Sequence, residues 1–104
     1  MTLGHGEVWT IQRPGGRWRV VVVSGDGFND APDALPFVVP IIRTPAGILP
    51  PYTATLADPD PVGGVALVAE LGQVDPKWAT ERVGMLTGAS NAAVAAALRD
   101  LFQL

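Results

Sequence analysis

Short apolar runs, each closed by glycine, proline or aspartate, fill the first three quarters of the chain, and helical spacing appears only at its end. That pattern predicts a set of β-strands finished by one helix, a mainly β fold with a C-terminal α-helix. Glu7 to Gln12 reads as the first strand, with Val8, Thr10 and Gln12 on one face and Glu7, Trp9 and Ile11 on the other. Arg13-Pro14-Gly15-Gly16 then makes a hairpin turn, since proline fixes φ and withdraws a donor while glycine permits positive φ. Trp18 to Ser24 holds four consecutive valines. They need cover on both faces and predict a central strand.

Ser24 to Asp33 is rich in glycine and aspartate without an apolar period and reads as a loop. Phe37 to Arg43 resumes extended structure, with Pro40 expected at an edge or bulge because it has no N–H for a ladder. Ile48 to Leu56 and Val65 to Leu71 read as two further strands around a rigid loop at Asp58-Pro59-Asp60-Pro61, and Glu70 is the one carboxylate in the second of them. Asp75 followed by Pro76 has the form of a helix cap with proline at the first position, predicting a short helical turn over residues 76–82. Thr87 can cap the last helix, about 88–103, whose Val94, Ala97, Leu98 and Leu101 form one stripe while Arg99 and Asp100 face water.

A chain of 104 residues fits one domain with no room for a second core, so a large functional surface calls for self-association or a partner. No apolar run approaches the ~18 residues needed to span a bilayer, and the N-terminus lacks a leader pattern, which predicts a cytoplasmic protein without membrane contact. With no cysteine, disulfides and thiolate metal sites are excluded. Net charge is −3, which by itself argues against nucleic acid. The first half, however, carries Arg13, Arg17, Arg19 and Arg43, and a focal arginine cluster can grip a few phosphates. No metal or cofactor is implied: Asp58 and Asp60 sit in a proline-stiffened loop, and Gly63-Gly64 leads into a strand, not the helix a P-loop requires. His5 is the lone histidine, in what reads as a loose tail, so two-histidine ribonuclease chemistry is excluded.

Three stretches resemble the MazF/PemK family of bacterial type II toxins. Gly6-Glu7-Val8-Trp9 is similar to the family's opening strand, and the valine run ending Ser24-Gly25-Asp26-Gly27-Phe28-Asn29 to its next segment. Val65 to Asp75, then Val83-Gly84-Met85-Leu86 and the final helix, resemble its closing pattern. The resemblance covers nearly the whole chain. It implies a small SH3-like β-barrel of the MazF/PemK/CcdB type over about 5–74, carried by a single toxin-like domain, 1–104. It also implies a homodimer, a metal-independent endoribonuclease acting on single-stranded RNA (an mRNA interferase), and a cognate antitoxin with an acidic disordered segment. The CcdB branch uses the same scaffold without cutting RNA, so a non-catalytic toxin or binding module is the alternative.

Measured against the family pattern, two active positions are changed. The family's arginine, six positions before the serine that ends the valine strand, falls on Trp18, and its threonine after V-P-x falls on Ile42. The resemblance therefore passes the catalytic role to neighbours: Arg17 and Arg19, which flank the first slot, and Arg43 and Thr44, which follow the second. A guanidinium suits the task because its planar fork binds two oxygens of a phosphate gaining charge. Strand alternation places Arg19 opposite the Trp18 face, so its use requires a bulge or register slip between Gly16 and Val20. Ser24, Glu70 and Trp18 are candidate substrate contacts. Each has a plainer reading: Ser24 as a turn former, Glu70 as a solvated carboxylate, Trp18 as packing, and the arginines as solvated charges.

Overall fold

The computed structural model describes residues 2–43 and 49–104. Strand β1 (Glu7–Arg13) turns through Pro14 and Gly15 into β2 (Gly16–Val22), and β3 (Phe37–Ile42), β4 (Thr53–Leu56), β5 (Gly64–Leu67), β6 (Gly72–Gln73) and β7 (Ala79–Met85) follow. A single turn of helix, α1 (Asp26–Asn29), interrupts the loop after β2, and α2 (Gly88–Phe102) closes the chain. The strands pair antiparallel in the order β4-β5-β3-β2-β1-β7, with β6 also against β3. The valine strand is therefore central, as its composition requires. The fold is mainly β with a C-terminal helix.

Register sorts the side chains into two faces. Val8 pairs with Val21 and Val21 with Val39, while the next positions along, Trp9, Val20 and Pro40, are also paired in turn. The first set joins Ala54, Leu56 and Ala66 under Val94 and Ala97 of α2. The second face gathers Trp9, Ile11, Val20, Val22 and Val38 with Leu3, Val74 and Ala79. Two buried clusters thus flank one sheet, where the length of the chain suggested a single core. The reason is that β1 to β3 are apolar at odd and even positions alike, and short segments from elsewhere in the chain suffice to cover the side that α2 leaves open.

Several expected boundaries move. The strand read over Val65 to Leu71 breaks after Leu67, and Val68–Glu70 is a 3-10 turn before β6. Its alternation therefore ends there, and Glu70 lies on the turn. The helix read over residues 76–82 is a 3-10 turn of only Pro76–Trp78, where the Asp75 carboxylate accepts from the Lys77 amide at 3.0 Å. Ala79 to Met85 instead forms β7 beside β1. Local capping was correct, but the unpaired edge of β1 captures the next seven residues into the sheet. The strand read over Ile48 to Leu56 begins only at Thr53, and its first residue, Ile48, lies outside the described residues.

Pro40 sits inside β3 next to a gap in pairing. Ile41 and Ile42 pair with β5, Phe37 and Val38 with β6, and neither strand pairs with Val39 or Pro40, so the missing N–H deprives no such neighbour. The helix stripe is as its spacing requires: Val94 and Ala97 are buried, and Leu98 and Leu101 pack against the same cluster. Thr87 caps α2 by accepting from the Ser90 amide at 3.2 Å.

Candidate functional site

The β1–β2 hairpin builds the site. Pro14 occupies the first central position of its turn and Gly15 the second at φ 102°, the positive value a type II turn demands there. This sets Arg13 opposite Gly16 and Ile11 opposite Trp18. Arg13 and Trp18 are then diagonal neighbours on one face, within reach of long side chains. The Arg13 guanidinium carbon lies 5.0 Å from the centre of the Trp18 ring. A Cβ on Gly16 would come within 3.2 Å of that ring, so the glycine also gives the indole its seat.

Below this pair opens a groove of about 400 Å³ on the face opposite α2. Val20, Val38, Pro40 and Ile42 floor it, and Leu67, Glu70 and Gln73 form the far wall. Trp18, within β2, is 40 % exposed and Ile42, at the end of β3, 37 %, and both present apolar surface to the same groove. Among the described residues Arg13 is the only cation lining the groove. The ion pairs among the described residues are Arg82–Glu7 and Lys77–Asp75, and neither engages it.

The predicted residues divide between two faces. Trp18 and Glu70 line the groove, as does Ile42, so both altered family positions open into one cavity. The β1–β2 register runs unbroken from Val8 to Arg13, without the slip that would turn Arg19 inward. Arg17 is set opposite Gln12, and Arg19 lies between Thr10 and Ile41, both on the α2 side of the sheet. Arg43 is exposed just beyond β3, and none of these three arginines lines the groove. Thr44 lies outside the described residues.

Ser24 is occupied in its loop. Its hydroxyl donates to Asn29 Oδ1 at 2.5 Å and accepts from the Phe37 amide at 2.9 Å, while its carbonyl accepts from Asn29 Nδ2 at 3.0 Å. The turn-forming reading holds for it. His5 is not loose: its amide donates to Asp26 at 2.8 Å, and its ring nitrogens lie 3.3 Å from the Ser24 carbonyl and from Asn91 Nδ2.

Sequence reasoning missed Arg13 by treating it as part of a turn. The available signal was its parity with Trp9 and Ile11 and the diagonal it makes with Trp18 across a two-residue turn. Two carboxylates have displaced titrations. Burial would raise Glu7, but hydrogen bonds from Arg82, the Gly4 amide and the Trp9 indole outweigh it and lower its pKa. Asp60 behaves alike: burial acts upward, and the Ser90 hydroxyl with the Thr87 and Ala57 amides brings the net pKa down. Both are structural. Among the described residues no group of three His, Cys, Asp or Glu is placed to hold a metal, and no helix is long and apolar enough to cross a membrane.

No protein-family profile matches the chain, and no curated protein does. Solved structures do. An endoribonuclease in complex with its cognate antitoxin from a mycobacterial species superposes at TM-score 0.86, with 19 % identity over 97 % of this chain and 95 % of that one. MazF from Deinococcus radiodurans superposes at 0.81, with 23 % identity over 100 % of this chain and 99 % of that one. The MazE–MazF complex of the same organism gives 0.81 and 23 %, covering 100 % and 98 %. The chain has the MazF fold, shared end to end.

Proposed function

We propose that this chain is the toxin component of a type II toxin–antitoxin system, a sequence-specific, metal-independent endoribonuclease acting on single-stranded RNA. The observation that carries this reading is the full-length likeness, at TM-score 0.86, to an endoribonuclease solved with its antitoxin. On this reading residues 1–104 form one toxin-like domain whose sheet closes as the family's small SH3-like barrel. The protein works as a cytoplasmic homodimer and is silenced by a cognate antitoxin with an acidic disordered segment. In the reaction the RNA 2′-hydroxyl attacks the adjacent phosphorus and loses its proton. The bond to the 5′-oxygen breaks and that oxygen takes up a proton, leaving a 2′,3′-cyclic phosphate. A guanidinium on the phosphate stabilises the charge gathered in between.

One observation favours a second reading. Trp18 and Ile42 stand together in the groove where the family pattern has arginine and threonine, and isoleucine can donate no hydrogen bond. A toxin that binds its target without cutting RNA fits that chemistry. Incubating the purified protein with a long RNA in EDTA separates the two: fragments ending in cyclic phosphate support the nuclease, and intact RNA at high protein concentration rejects it.

A further inference from the structure

We propose that Arg13, seated on Trp18, is the phosphate-gripping group of the groove, and that Glu70 across from it accepts from the exocyclic amine of the RNA base held between them. The inference rests on the RNA-directed reading above, adds Arg13, which the sequence pattern did not give, and assigns a partner on the base to Glu70, which it did. Four observations lead to it. Arg13 is the only positive charge lining the groove and has no carboxylate partner among the described residues. The Arg13 guanidinium lies over the Trp18 ring at 5.0 Å, a cation–π contact that holds it at the groove while its N–H groups remain available to a phosphate. The groove, at about 400 Å³, lies within the range of roughly 300–1,000 Å³ typical of small-ligand sites, room for a nucleotide. Its floor is apolar and its far wall polar at Glu70 and Gln73, which suits a base lying flat with one edge turned to hydrogen-bonding groups.

Arg17, Arg19 and Arg43 do not serve this groove because they belong to the other side of the sheet or lie beyond its end. The far-wall carboxylate makes a sharper demand. A carboxylate is only an acceptor when ionised, so it favours cytosine, which presents an amine, over uracil, which presents an oxygen at the same position.

The test measures binding of fluorescein-labelled 2′-O-methyl oligocytidine and oligouridine, which lack the attacking hydroxyl, by anisotropy across a salt series. Wild type is expected to bind oligocytidine more tightly. Arg13→Ala should weaken both oligomers by on the order of 10-fold and reduce the log–log salt slope by roughly 0.7, the share of one phosphate on a single strand. Arg13→Lys should recover little, since an ammonium neither stacks nor forks. Glu70→Ala should abolish the cytosine preference and leave the salt slope in place, and Arg99→Ala on the distant helix should match wild type. Far-ultraviolet circular dichroism confirms that each variant is folded, and Arg13→Lys keeps the test valid if Arg13→Ala is not. Unchanged affinity and slope in both Arg13 variants, or no binding by wild type, overturns the proposal. Cleavage of unmodified RNA, followed in parallel, reports on the nuclease reading separately: a wild type that binds through Arg13 without cutting sinks that reading and leaves this one standing.

Discussion

Asp60 fastens α2 to the end of β4, and replacing it tests whether this one carboxylate holds the helix in place. Its Oδ1 accepts from the Thr87 amide at 2.8 Å, and its Oδ2 from the Ser90 hydroxyl at 2.5 Å and the Ala57 amide at 3.2 Å. The residue is only 6 % exposed, so donors stripped of it are left short of water. Hydrogen bonds to a charged group contribute about 1.5–3 kcal/mol each, though bonds sharing one acceptor group do not add fully. Asp60→Ala should therefore cost about 3 kcal/mol, a large part of the ~5–15 kcal/mol that holds a typical domain. Asp60→Asn should cost about 1–2 kcal/mol, because whichever way the amide is turned its NH₂ meets the Thr87 or the Ala57 N–H.

Urea unfolding followed by tryptophan fluorescence measures both losses. The pH dependence supplies a second check. The folded pKa of Asp60 lies below the ordinary 3.8, so its contribution is complete above that value and fades as pH falls through the depressed one. Asparagine does not titrate, so the gap between wild type and Asp60→Asn should narrow steadily in acid. Equal stability at neutral pH, or a gap that ignores pH, would refute the reasoning.

Two other substitutions probe the supports of the fold and groove. Gly64 has φ 122°, and a Cβ there would meet the Ile42 carbonyl oxygen at 2.1 Å. Gly64→Ala should cost on the order of 3 kcal/mol and shift the β3 end that carries Ile42, read as a fall in melting temperature with a loss of oligonucleotide binding. Glu7→Gln should cost less, about 0.5–1 kcal/mol, because Arg82 is 47 % exposed and water screens its pairing with the carboxylate. Glu7 also has a lowered pKa, so its share too is lost as pH falls below the ordinary 4.5, and the variant should flatten the acid limb of the wild-type stability curve.

Alternation, turn chemistry and capping in the sequence were enough to define the hairpin at Pro14-Gly15, the buried valine strand and the stripe of α2. Each depends on neighbours within a few residues, where φ preference and side-chain parity act directly. The parity of β2 already set Trp18 apart from Arg17 and Arg19. What alternation along one strand cannot give is which face becomes a groove. That was decided when α2 covered the Val8 side and β6 and the 3-10 turn at Glu70 rose along the other, bringing Arg13, Trp18, Ile42 and Glu70 to one cavity. The identity of β7 was also a tertiary matter, since Ala79 to Met85 is extended because β1 offers it an open edge. Local preferences wrote the elements, and pairing between distant segments, as in the bond from Arg82 to Glu7 75 residues away, chose the site.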